Sequence, residues 1–351
     1  MALEPQWEAC LFHNSYGFRL GRNQHDALEN LYCSLSKHQQ IVANINLSQS
    51  LLHFDYKVFL KAIKAHPIII KKVEQWLKQG LVREFIFQSS SFNTHIFCPP
   101  DSAILAPLLV NFVLNEIQIR IYATILKNEQ LKRTSNIVCY GYHFLIVSES
   151  RSQVNHSVLI LKHWLSKNGS LLLTKHLDLR PTYSGFNFLN YQFTFETNTK
   201  SWKIIPSTQA TQLLNQSNRE IIQSLKSSPI RKLIINLRSK NLNWAISYAQ
   251  YNSKNAFCYI DKTLFSQLRA AILRRHPHKS KYWIKNKYFP SNYCYYFENK
   301  YYKTSWVLTD TSSLRQEFLP RLQWVRRKHY VTVVNTKSVY DSDYLYWKER
   351  L

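Results

Sequence analysis

The chain has 351 residues, 45% hydrophobic and 14% aromatic, so it can bury a sizeable core and is not a disordered tail. Its 46 Lys and Arg against 21 Asp and Glu leave a net charge of +25, a self-repulsion no fold requires, which points to a polyanionic partner, nucleic acid first. Six scattered cysteines without a Cys-x-x-Cys pair argue against a zinc site or a disulfide framework, and the absence of a secretory signal or an apolar run approaching about 20 residues argues against export and a membrane span.

In chain order, a loop holding Gly17 and Gly21 leads into a helix apolar at Ala27, Leu28 and Leu31. Gln40 to Asn46 has the β-branched core of a strand, and a helix is expected from about Tyr56 to Ala65. The stretch Ile137 to Ser148 sets two apolar runs around a short polar centre, the pattern of a hairpin with Tyr140 to His143 at an exposed turn. A helix over Gln153 to Asn168 carries an apolar stripe of Leu159, Ile160, His163, Trp164 and Leu165. Beyond Thr208 the character turns helical and basic, with helices expected at Leu213–Leu225, Ile230–Leu237 and Leu242–Tyr251. From Lys226 to Leu351, 24 Lys and Arg stand against 7 Asp and Glu, a net +17 that leaves +8 for everything before, and Tyr and Trp are interleaved with the cations.

Several stretches resemble one family in its own order. Asn14-Ser15-Tyr16-Gly17-Phe18-Arg19-Leu20-Gly21-Arg22 followed by His25-Asp26-Ala27 is similar to a conserved block of the reverse transcriptases encoded inside group II introns. Val42-Ala43-Asn44-Ile45 resembles the strand bearing that family's first catalytic aspartate, with Asn44 in its place. Cys98 to Asn111 resembles Thr-Pro-Gln-Gly-Gly-x-x-Ser-Pro-Leu-Leu-x-Asn, with Asp101 and Ser102 where Gln-Gly-Gly would stand. The hairpin resembles the Tyr-Ala-Asp-Asp hairpin, with Tyr142 and His143 replacing both aspartates. Gly185-Phe186-Asn187-Phe188-Leu189-Asn190-Tyr191 resembles Gly-Phe-x-Phe-Leu-Gly-Phe. Leu242 to Tyr251, and above all Leu273-Arg274-Arg275-His276-Pro277 through Phe289, resemble the thumb, called domain X in maturases. His276 and His278, taken alone, read as a surface pair in a turn.

The resemblance implies an α+β fold: a truncated reverse-transcriptase-like fingers and palm over residues 1–200, with an antiparallel sheet and packed helices, then a mainly helical, basic thumb or maturase region over 201–351. The family's first fingers blocks would precede Met1 and its endonuclease would follow Leu351, so no DNA cleavage is expected. Two-metal polymerisation needs carboxylates holding Mg²⁺ in oxygen-rich geometry, and Asn44, Tyr142 and His143 supply none. The expectation is therefore a degenerate group II intron maturase without cofactor or metal, binding intron RNA, its own host intron first, and promoting its splicing. The RNA would be held by Arg19, Arg22, Arg274, Arg275, His276, Lys279, Lys281, Trp283, Lys285 and Lys287. A reverse transcriptase with displaced ligands, using Asp101 or Asp55, and a decaying reading frame remain as alternatives, and a homodimer stays open. The abundance of Lys, Asn, Ile, Tyr and Ser over Gly fits an AT-rich organelle genome, plastid before mitochondrion or a bacterial cytoplasm.

Overall fold

A computed structural model describes residues 4–35, 40–54, 56–63, 65–79, 105–127, 135–170, 177–291, 293–310, 317–328, 330–334 and 337–350. Asp55 and the stretch around Asp101 lie outside the described residues. The chain divides into two compact units, one of residues 1–189, 194–202 and 330–351 and the other of 190–193 and 203–329. The stretch 330–351, read from sequence as the end of the basic region, thus groups with the first unit.

The first unit is built on a four-stranded antiparallel sheet of β1 (Ile41–Asn46), β2 (Asn136–Tyr140), β3 (His143–Ser148) and β4 (Leu177–Pro181), in the order β2-β3-β1-β4. Its helices include α1 (Glu4–Cys10), α2 (Gln24–Ser34), α3 (Ser48–Leu52), α4 (Tyr56–Ala62), α5 (Pro67–Lys78), α6 (Leu105–Leu126) and α7 (Arg151–Lys167), with a further helix at Tyr344–Arg350. Alternation along β1 and β3 turns Ala43, Ile45, Phe144 and Ile146 to one face, where they join a core with Val110, Leu114, Ile117, Val158 and Leu161 of α6 and α7. The buried stripe of α7 is Val154, Val158, Leu161, Trp164 and Leu165. Leu159, expected inside, is exposed, because the stripe follows i, i+4, i+7 from Val154 and leaves Leu159 one position off it.

Helix α6 corrects the expectation of no long apolar run. From Ala106 to Leu126 it is long and apolar enough, by length and composition alone, to cross a membrane. Half of that window is buried within the unit, where Ala106, Leu109, Val110 and Leu114 meet the core.

A three-stranded sheet of β5 (Phe186–Phe188), β6 (Tyr191–Glu196) and β7 (Ser201–Pro206) follows. The stretch 185–191 is thus two strands and a turn, since Leu189 and Asn190 both have positive φ, 49° and 65°. Asn190 stands where the resembled motif has glycine, and Asn is the side chain that best tolerates this left-handed conformation.

The second unit is mainly helical: α8 (Thr208–Ser224), α9 (Ile230–Tyr248), α10 (Lys254–Arg275) and α11 (Lys281–Tyr288). Ile222, Leu233, Ile234, Leu237, Leu264, Leu268, Ile272 and Ile284 form its core. Two helices were expected where α9 runs unbroken. The polar residues at 239–241 contain no Gly or Pro to stop a helix, and Asn241 is buried against Asn218 of α8, each amide donating to the other at 2.8 and 3.0 Å. Helix α10 stops where Pro277 disfavours helical backbone at His276, and Ser280 Oγ accepts from the Trp283 amide to start α11. Two short hairpins complete the unit, β8 (Cys294–Phe297) with β9 (Lys300–Lys303), and β10 (Thr309–Asp310) with β11 (Glu317–Phe318).

Candidate nucleic-acid interface

The hairpin turn between β2 and β3 is covered, contrary to the exposed turn read from sequence. The loop 14–18 lies along it: the Tyr16 amide donates to Cys139 O at 2.9 Å and the Cys139 amide to Asn14 O at 2.9 Å. A Cβ on Gly17 would stand 2.1 Å from the Gly141 backbone nitrogen, so only glycine fits there. Asn111 of α6 donates from Nδ2 to Gly17 O at 2.9 Å, and Asn115 bonds the backbone of Cys10 and Phe12. Three separately read motifs therefore close on one another.

Asn44 pairs with Leu145, and Asn46 with His143, so Asn44 and His143 are diagonal neighbours on one sheet face, about 7–8 Å apart at Cα. Tyr142 is buried against the core, its ring 6.0 Å from that of Phe18 and 4.9 Å from that of His143. The structure thus brings His143 beside both Asn44 and Tyr142, with the Tyr142 ring buried in the core. Burial pushes the His143 imidazole down to about 4, so it is neutral at pH 7. Asn44 Nδ2 donates to Asn187 O at 2.7 Å. Asp178, across from Asn44 in β4, is the acid on this face and is ion-paired with Arg180 at 2.6 Å. An amide, a phenol and a neutral imidazole do not fit a Mg²⁺ pair, and among the described residues no group of three or more His, Cys, Asp or Glu is placed to hold a metal.

Arg19 and Arg22, expected to meet RNA, are internal. Arg19 is bound bidentately by Glu8, at 2.9 Å from Nε and 2.6 Å from a terminal nitrogen, and donates to the carbonyls of Phe12 and Ser15. Its side chain is 3% exposed. Arg22 donates to His13 O at 2.6 Å and lies over the Tyr16 ring, and burial lowers its pKa to about 10, still protonated at neutral pH. Both guanidiniums satisfy loop carbonyls, and no face is left for phosphate. Asp26 is equally committed, completing a capping box with Asn23, accepting from the Val333 amide and pairing with Arg350.

The second unit presents its cations differently. Arg274, Lys279, Lys281, Lys285 and Lys287 are exposed. Arg275 is a strut, donating to Leu225 O at 3.0 Å and Lys226 O at 2.5 Å beyond the end of α8. His276 is half-buried, shares a 2.7 Å hydrogen bond with the Tyr288 hydroxyl and stacks on that ring, while His278 is exposed, so the two are not an equivalent surface pair. Desolvation, then Lys287, Arg275 and Lys279, lower the His276 pKa and keep it neutral. Trp283 lies edge-on to His276, with the ammoniums of Lys279 and Lys287 at 5.4 and 4.7 Å from its ring. Helical spacing puts Lys281 and Lys285 on the other flank of α11, beyond the buried Ile284 and Tyr288. The cations thus form two rows that flank the helix.

Residues 211–289, from within α8 to just past α11, match the family described as group II intron, maturase-specific domain. The chain carries this maturase domain. The match supports a group II intron maturase family member over those residues. No curated protein matches the chain. A telomerase from Candida albicans, solved in complex with a TWJ fragment of telomeric RNA, is similar at 8% identity and a TM-score of 0.37, covering 80% of this chain and 54% of its own. That likeness carries no argument about the fold, and the chain spans about half the length of that one. Within the maturase domain lie all the sequence-read cations except Arg19 and Arg22. The Tyr-rich hairpin β8–β9, just past the domain, received no role from sequence, although Glu298-Asn299 between Tyr-rich runs is a two-residue turn signal.

Proposed function

We propose that this protein is a maturase that binds group II intron RNA, its own host intron first, and promotes the splicing that the RNA itself catalyses. The observation carrying this reading is the maturase-specific domain at 211–289, whose last two helices and connecting turn present exposed Arg274, Lys279, Lys281, Lys285 and Lys287. Such cations neutralise phosphates and release counterions. Trp283 with its two ammoniums adds an amphipathic contact at the surface.

In this reading the first unit is a reverse-transcriptase-like body that no longer polymerises. Support comes from Asn44, Tyr142 and His143 at the resembled metal-binding positions and from the ion-paired Asp178. The codon-biased composition fits a chain made in the plastid that holds its intron.

Splicing of the host intron at limiting Mg²⁺, with and without the full-length protein, tests the proposal. Faster splicing is expected, and no acceleration for the host intron or related introns overturns it. Primer extension on an RNA template with Mg²⁺ tests the loss of synthesis. No product is expected, and synthesis abolished by Asp101→Ala or Asp178→Ala would favour a displaced-ligand reverse transcriptase.

A further inference from the structure

We infer that the outer face of the β8–β9 hairpin is a stacking platform for unpaired bases of single-stranded RNA. The inference rests on the RNA-binding reading but concerns a surface outside the matched residues 211–289.

The register pairs Cys294 with Lys303 and Tyr296 with Tyr301, so these four side chains share one face of the ribbon. Tyr296 is 55% and Tyr301 70% exposed, their rings 5.0 Å apart. A cross-strand aromatic pair can stabilise a hairpin by itself, but this hairpin is already held from its other face. There Tyr302 stacks on Trp324 at 4.4 Å and 15°, and the Tyr295 hydroxyl bonds Thr309 Oγ1 at 3.0 Å. Tyr295, Val307 and Trp324 make a small core beneath the ribbon. The two outer rings are therefore held on a rigid support while their faces meet solvent.

Charge selects the occupant. The outer face carries Lys303 and no acid, while Lys300, paired with Phe297 on the other face, lies over the Tyr302 ring at 5.6 Å. Glu298, the acid of the turn, accepts from the Arg326 amide. Two solvent-facing aromatic rings beside the Lys303 ammonium, in a region of net +17, suit bases stacked on the rings with a phosphate near that lysine. A paired base has both faces already stacked, so the platform takes loops and single strands in preference to helix.

The test uses the full-length protein, a 12-nucleotide oligouridylate and an RNA duplex of 12 base pairs. The Tyr296→Ala/Tyr301→Ala variant should bind the single strand about tenfold or more weakly and the duplex within about twofold of the original chain, while the double Phe variant keeps both affinities. Photocrosslinking of 5-bromouridine-substituted oligonucleotide to the unmodified chain should label Tyr296 or Tyr301, which removes dependence on how the Ala variant folds. Unchanged single-strand binding by a folded Ala variant, crosslinks confined to other peptides, or equal losses for both RNAs overturn the platform. Dimer dissociation in the Ala variant with oligonucleotide affinity intact would assign the face to a second copy of the chain instead. A chain that binds duplex but not single strand defeats this inference and leaves RNA binding standing; one that binds neither RNA defeats both.

Discussion

Two pairs of arginines tell apart the two units of this protein. Arg19 and Arg22 lie inside the first unit, clasped by Glu8 and by loop carbonyls, whereas Arg274 is exposed on the second and Arg275 is half-engaged at a helix end. The first pair organises a loop that seals a hairpin turn. The second borders a surface of exposed positive charge. One residue type thus serves as an internal scaffold in one place and stays wholly or partly exposed in the other, and the difference lies in burial and, for Arg19, in the Glu8 carboxylate beside the guanidinium.

The sharpest way to break this contrast is Arg19→Ala, which strands the Glu8 carboxylate in the interior. It should cost about 3–5 kcal/mol of stability in denaturant unfolding and leave RNA affinity per folded molecule unchanged. A loss of RNA affinity with stability intact would return Arg19 to the interface. Next in size is acid. Burial lowers His143 and His25 from the ordinary 6.5 to about 4, so the unfolded chain binds more protons between those values. Their contribution is complete above pH 6.5 and is lost as pH falls through about 4, up to about 3 kcal/mol for each. His143→Asn should flatten the unfolding free energy against pH over that window, and an unaltered slope would show that the ring is not buried in the neutral form.

Smaller effects sharpen the other side. Asn218→Leu leaves Asn241 without its buried partner and should cost about 1–3 kcal/mol, while replacing both by Leu recovers much of that in a double-mutant cycle. Smallest per residue is charge: Arg274→Glu, Lys279→Glu and Lys287→Glu should each weaken intron binding and lower the slope of log affinity against log salt by about 0.7–0.9. Arg22→Gln should leave that slope alone, and a matching fall would erase the distinction between the two arginine pairs.

Much of the architecture could be read from the chain. The helix after Asn23, the central strand, the hairpin and the apolar positions Ala27, Leu28 and Leu31 all stand where local pattern puts them. The exposure of the hairpin turn could not be read, because what covers it is Gly17 and Phe18, more than a hundred residues away in the chain. Nor could the burial of Arg19: its partner Glu8 sits in a separate helix, and a charged side chain in a polar loop looks the same from sequence whether it turns in or out. The platform tyrosines escaped for the opposite reason. In a chain with 22 tyrosines, aromatic content alone does not separate a ring in a core from one left facing water.

The clip formed by Arg350 has a bearing on how the chain matures. Its guanidinium closes on Gly21 O and on the Asp26 carboxylate, a partner 324 positions earlier. At synthesis rates of about 5–20 residues per second, on the order of tens of seconds separate the emergence of that acid from the arrival of its cation. The whole second unit is translated in that interval, so the first cannot close this clip at Gly21 until the second has emerged.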